Sequence, residues 1–221
     1  MKLFINALTK FLLGFILLGA MLFLPAWTLH YPGAWLFLGV LFLPMLIMGI
    51  VLLTKAPALL EKRLNAKEKQ VAQKGVLALS GLMFPAGFVL SALDFRFGWT
   101  HVPLWLCITA AVLFLLGYLM YAEVMRENAY LSRTIEVQQE QRVIDTGLYA
   151  LVRHPMYAAT LLMFLPIPLI LGSIWGLLPF ALYPAVIVIR IFDEEKLLTT
   201  ELDGYAAYKS KVRYRLIPFI W

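Results

Sequence analysis

The sequence predicts an all-α protein: a polytopic transmembrane helical bundle of about six spans with a C-terminal cytosolic helical segment. Three observations carry this reading. Of its 221 residues 62% are hydrophobic and only 14% are charged, against roughly 25% charged in an ordinary soluble domain. Uncharged runs recur at the length of a bilayer. Lysine and arginine gather on alternate connections between those runs.

A helix needs about 20 mostly apolar residues to cross a hydrocarbon core about 30 Å thick. Residues 11–54 hold no charged side chain and are long enough for two spans, with His30-Tyr31-Pro32-Gly33 as the turn between them. This places spans near 11–29 and 34–54. The opening MKLFINALTKFLLGFILLGA has the look of a secretory signal, but its apolar run continues to that turn without a small-residue cleavage site. A retained first span is the expectation. Residues 55–74 read as a solvated connector with some helix in it.

Uncharged runs at 75–93 and 104–122 give the third and fourth spans. Residues 156–189 give two more, divided at Gly172-Ser173. These last two are short, about 16 uncharged residues or roughly 24 Å each, and carry Pro166, Pro168, Pro179 and Pro184. They are expected to be kinked and packed inside the protein. The organisation that follows is four N-terminal spans over 1–123, then a region over 124–221 with a helical hairpin and a C-terminal amphipathic helix.

With six spans and an inner N-terminus, 18 of the 19 basic residues fall on the inner side, leaving Arg96 alone outside. Cytoplasmic flanks hold such an excess, so both termini are expected in the cytosol, at the inner membrane if the source is bacterial. The net charge of +6 is then a basic face against anionic membrane lipid and calls for no nucleic acid. A single cysteine, Cys107, excludes an internal disulfide, and no Cys and His spacing suggests a metal site.

Polar residues crowd the inner surface in three places: the loop Gln138 to Tyr149, the Arg153-His154-Pro155 threshold, and IRIFDEEKLLTTELDGYAAY after the sixth span. Pro155 suits a first helical turn and biases His154 toward an extended conformation. The fifth span therefore starts at Pro155 or Met156. Its unpaired N–H groups, with Arg153 and His154 beside them, favour an anion such as a carboxylate or phosphate. The plainer alternative is that Arg153 snorkels as a topology anchor and His154 caps a helix.

Arg190 and Glu194 are four apart and can share a helical face, which continues through Leu197 or Leu198 and Glu201 to Tyr205 and Tyr208 if the helix runs that far. Arg190 is the first charge after the run from Met156, and an ionisable group at such a depth is a functional candidate. Glu195, Lys196 and Lys209 read as interfacial anchors.

Gln138, then GLYALVRHPMY, a hairpin, Arg190-x-x-x-Glu194-Glu195 and DGYAAYKSKVRYRLIP together resemble the isoprenylcysteine carboxyl methyltransferase and phospholipid methyltransferase-like family of integral membrane methyltransferases. The resemblance covers roughly residues 120–221. It implies an enzyme that uses S-adenosyl-L-methionine without a Rossmann fold, with the cofactor at the cytosolic surface. By motif, it implies cofactor contacts at Gln138, Gln141, Arg142, Val143, Ile144, Tyr149, His154, Pro155, Met156, Tyr157 and Glu194, with Arg190 facing the acceptor. The 141–144 stretch matches in being apolar at Val143 and Ile144.

The expected reaction is methyl transfer to a carboxylate or another nucleophile on a lipid-like acceptor that enters laterally from the membrane. A nicotinamide-dependent sterol or enone reductase with a similar HPxY hairpin is the alternative enzyme. A non-catalytic membrane component is the alternative without chemistry.

Overall fold

The computed structural model describes residues 2–65, 71–128, 130–131, 137–138 and 140–221. Lys67, Lys69 and Arg133, counted above among the inner-side cations, lie outside the described residues. The order of elements is α1 (Lys2–Ala26), α2 (Pro32–Lys55), α3 (Pro57–Asn65), α4 (Val71–Phe97), α5 (Leu104–Glu127), α6 (Pro155–Phe164), α7 (Ile167–Ile170), α8 (Leu177–Phe180), α9 (Tyr183–Glu201) and α10 (Tyr205–Lys211), with a 3-10 turn at Gly147–Ala150. The described residues contain no strand.

α1, α2 and α5 are each long and apolar enough to cross a membrane. The first helix starts nine residues before its expected span and takes in Lys2 and Lys10, because a helix need not end where the hydrocarbon does. Leu12, Ile16, Leu43, Ile47, Ile50, Leu116 and Leu119 on these helices face outward and are exposed. An apolar outer face is what lipid-facing helices present, since lipid is as apolar as the side chains.

Prolines shape the remainder as expected of the short pair. Pro155 stands in the first turn of α6; Pro166 stands between α6 and α7, and Pro168 in the first turn of α7. The chain turns at Gly172, whose φ of 77° suits glycine. Ile170, Leu171, Phe180 and Met163 are buried with Phe37 and Phe114 in the main core. The hairpin thus packs one face into the bundle, while Leu178, Leu182 and Ile189 on its second arm remain exposed.

α5 and α6 lie closest where Gly117 faces α6. A Cβ there would meet Met163 N at 2.9 Å and Ala159 O at 3.0 Å. Small residues permit such backbone approach in membrane bundles.

At the end opposite α6's N-terminus, Asp94 is fully buried and accepts hydrogen bonds from Thr100 N (2.8 Å), Thr100 Oγ1 (2.6 Å) and Ser173 Oγ (2.5 Å). These bonds tie the α4–α5 connection to the hairpin turn. A cavity of about 610 Å³ opens nearby, lined by Tyr31, Leu36, Phe95, Cys107 and Ile170 among others. Cys107 is a free thiol.

One expectation about the C-terminal region changes. α9 carries the face from Arg190 through Glu194 to Glu201, but that face does not extend to Tyr205 on one helix. Asp203-Gly204 turns the chain, Gly204 at φ 85°, and Tyr205 opens the separate α10.

Candidate functional site

The threshold before α6 is held by the C-terminal tail. Arg153 N donates to Tyr214 O and His154 N to Arg215 O, each at 2.9 Å, so Arg153 and His154 are drawn under the tail and buried. From there the Arg153 guanidinium donates Nε to Glu195 Oε1 at 2.7 Å, and Nη1 to the carbonyls of Val212 (2.7 Å) and Arg213 (2.9 Å). Glu195 lies between several donors. His154 Nε2 is 3.3 Å from its Oε1, and Arg215 Nε (3.2 Å) and Lys209 Nζ (3.6 Å) approach its Oε2.

This overturns the reading of Glu195 as an interfacial anchor, since its side chain is only 3% exposed. Burial pushes its carboxyl up, but the hydrogen bonds from His154 and Arg153 outweigh that and hold it down at about 2. A buried carboxylate persists only with such partners. The pull on an anion expected of Arg153 and His154 is therefore met largely from within, by Glu195. Lys209 joins the same cluster, whereas Lys196 is exposed.

Glu194 takes a different direction, because neighbouring residues on a helix point about 100° apart. Its Oε2 accepts the Tyr157 hydroxyl at 2.6 Å, and Arg190 Nε donates to that same hydroxyl at 3.4 Å. Tyr157 on α6 thus bridges the cation and the carboxylate of α9. His154 Nδ1 stands 4.0 Å from Glu194 Oε2, and its ring stacks on that of Tyr157 with centroids 5.7 Å apart. His154 accordingly has a carboxylate beside each ring nitrogen.

The loop supplies the facing wall. Gln138 Nε2 donates to Tyr130 O at 2.6 Å, and Gln138 N donates to Gln141 Oε1 at 2.9 Å. Asn128 Nδ2 donates to the Tyr149 hydroxyl at 2.8 Å, while Tyr149 O accepts the Tyr208 hydroxyl at 2.7 Å. Burial is the main reason that the Tyr149 hydroxyl is pushed up to about 12. Val143 packs beside Leu198, Leu202, Tyr205 and Tyr208.

These walls enclose one cleft. Gln141, Arg142, Val143, Ile144 and Tyr149 line it from the loop, His154, Met156 and Tyr157 from the start of α6, and Arg190 and Glu194 from α9. Of the residues singled out from sequence, Gln138 and Pro155 are not on its wall: Gln138 braces the loop and Pro155 is buried in the first turn of α6. Sequence reasoning missed Leu197, Leu198, Leu202, Tyr205 and Tyr208 as wall residues. The DGYAAY run held the signal for the two tyrosines, but not the turn that brings them back over α9.

The free volume of the cleft is about 90 Å³, below the roughly 300 to 1,000 Å³ usual for ligand pockets. A nucleoside-sized ligand therefore requires the walls to part. One feature of the cleft fits such a ligand directly. The Tyr205 hydroxyl is buried with no hydrogen-bond partner, and a buried polar atom left unpaired is costly until something supplies its bond.

Residues 105–203 match the sequence pattern of the phospholipid methyltransferase family. The matched segment runs from the start of α5 to Asp203 and includes every wall residue named above except Tyr205 and Tyr208. A solved structure of the eukaryotic intramembrane Ras methyltransferase ICMT (isoprenylcysteine carboxyl methyltransferase) matches over 92% of this chain and 74% of its own, with 21% identity and a TM-score of 0.42. No curated protein matches the chain by sequence.

Proposed function

We propose that the protein transfers a methyl group from S-adenosyl-L-methionine to the carboxylate of a lipid-like acceptor that reaches the cleft from the membrane. The observation that carries this reading is the Arg190–Tyr157–Glu194 bridge. It sets a cation and a carboxylate side by side where the start of α6 meets α9. The similarity of residues 105–203 to the phospholipid methyltransferase family supports methyl transfer as the chemistry.

The donor set suits the cofactor's parts. Glu194 can take its ammonium or a ribose hydroxyl, the Tyr205 hydroxyl can pair with a further polar group, and Val143, Ile144 and Leu198 offer apolar surface to a flat base. When bound, the cofactor would supply an electrophilic methyl carbon. Orientation and exclusion of water remain for the protein. A lipid carboxylate is already ionised and needs no base. The Arg190 guanidinium, with its planar array of donors, can orient it, and Tyr157 fixes that guanidinium relative to Glu194.

His154 has a positioning role in this reading. It is buttressed by Glu195 and stacked on Tyr157, so it keeps Glu194 and Tyr157 in register at the cofactor's side of the cleft.

Thermal protection of the purified protein in detergent separates the candidate activities. S-adenosylhomocysteine should raise the melting temperature and NADPH should not. Protection by NADPH alone would point to a reductase, and protection by neither would leave a non-catalytic membrane component.

A further inference from the structure

Arg63 belongs to α3, the short connector helix that follows α2 where that helix ends at Lys55. The helix is pinned at its far end by Lys10 Nζ, which donates to Leu64 O at 2.5 Å. Arg63 reaches α5. Its Nη1 donates to the Tyr121 hydroxyl at 2.6 Å, and its guanidinium carbon sits 5.2 Å from the centre of the Tyr121 ring. The other edge is bare: Nε and Nη2 are both buried and neither has a hydrogen-bond partner.

That pairing of atoms is informative. Nε and Nη2 form the parallel edge of the guanidinium that grips a carboxylate or phosphate by two bonds. Burying that edge unsatisfied is unfavourable, and a lysine could donate to the Tyr121 hydroxyl without burying such an edge. The position matters as well. Tyr121, Met48 and Met156 pack around Tyr149, and Tyr149 and Met156 line the cleft. Arg63 therefore stands one layer of side chains behind the part of the cleft wall formed by Tyr149 and Met156.

We propose that the Nε–Nη2 edge of Arg63 holds the oxyanion of a membrane lipid, a carboxylate or a phosphate, at the inner headgroup level beside the cleft. Identifying that lipid with the methyl acceptor rests on the methyl-transfer reading above. Arg63 then selects acceptors with an anionic head, a specificity element contributed by the first half of the chain. Entry of the lipid uncovers the buried guanidinium edge and takes up its two unmade bonds.

The test is retention of lipid by the full-length protein in detergent, measured by native mass spectrometry. Oleate, dioleoylphosphatidate and uncharged methyl oleate serve as probes. Wild type should retain an anionic probe over methyl oleate by about tenfold or more, the scale of a lost charge-assisted bond. Arg63→Met should abolish that preference, and Arg63→Lys, which keeps charge without the forked edge, should recover little of it. Helical content by circular dichroism checks that both variants fold, and Arg63→Lys carries the test if Arg63→Met does not.

Preference for oleate over phosphatidate assigns the edge to a carboxylate head, and the reverse to a phosphate head. Equal retention of oleate, phosphatidate and methyl oleate by wild type, or an anionic preference that survives in Arg63→Lys and Arg63→Met, overturns the proposal. Calorimetry with S-adenosylhomocysteine on the same samples keeps the two readings apart. Loss of cofactor binding in wild type with an intact Arg63-dependent preference removes the methyl-transfer reading alone. Normal cofactor binding with Arg63-independent retention removes this inference alone.

Discussion

Adjacent acids in one helix do opposite work here, and the difference is geometric. Glu195 is buried under the tail and satisfied by Arg153, His154 and Arg215, while Glu194 faces the cleft and receives Tyr157. The Arg190-x-x-x-Glu194 spacing made Glu194 legible, but nothing in the order of residues tells which of two neighbouring glutamates will meet a tail 20 residues later. Glu195→Ala should cost about 3 to 5 kcal/mol of stability, the scale for leaving a buried charge unpaired, as measured by denaturant unfolding in detergent. The carboxyl is held below its ordinary value of 4.5, at about 2, so its contribution is complete above pH 4.5 and is lost as pH falls toward 2. Thermal melts of wild type should weaken across that window, and Glu195→Gln should flatten the dependence. At the cleft, Glu194→Gln should weaken S-adenosylhomocysteine binding by roughly 10- to 150-fold, the loss of one charge-assisted hydrogen bond. Arg190→Ala should leave that affinity within a few-fold and depress turnover, because an acceptor-orienting contact appears in the catalytic rate. Unchanged binding in Glu194→Gln, checked by calorimetry, would move the cofactor away from Glu194.

Elements were more legible than their ends. Charge-free runs located the long helices, and prolines marked where the hairpin breaks, because both signals are local. The stop at Leu202 and the return through α10 were not legible, since the Asp203-Gly204 turn matters only once Tyr205 and Tyr208 find Val143 and Tyr149 across the cleft. Close packing of α5 on α6 is likewise hidden in a single glycine. Gly117→Ala would press a Cβ onto backbone atoms of α6, and backbone cannot step aside as a flexible side chain can. Overpacking of this kind costs about 1 to 3 kcal/mol. Gly117→Ala should lower the melting temperature and, by shifting the start of α6 against α9, weaken S-adenosylhomocysteine binding as well. A Gly117→Ala protein that melts and binds like wild type would show that α5 and α6 have slack at this point.

For the whole molecule, the cleft-bearing ends of α5, α6 and α9 and the connector α3 lie at one end of the bundle, and Arg96, stacked over Trp27 and Phe97, lies at the other. The distribution of basic residues in the sequence predicts that the cleft end faces the cytosol, and the proposed methyl transfer requires the same orientation. Single cysteines in place of Lys67 and Trp99 test the orientation: an impermeant thiol reagent added to intact cells should mark position 99 and spare position 67. Marking at 67 would turn the bundle over and deny the cleft its cofactor. The central claim, methyl transfer to a lipid carboxylate, is tested most directly by incubating the purified protein, in nanodiscs made from lipid extracts of its source, with S-adenosyl-L-methionine labelled in its methyl group. The label should enter the lipid phase and be released as methanol by mild alkali, as a methyl ester requires, and Arg190→Ala should transfer little of it. Label that fails to enter lipid, or that enters and resists alkali, would contradict the account.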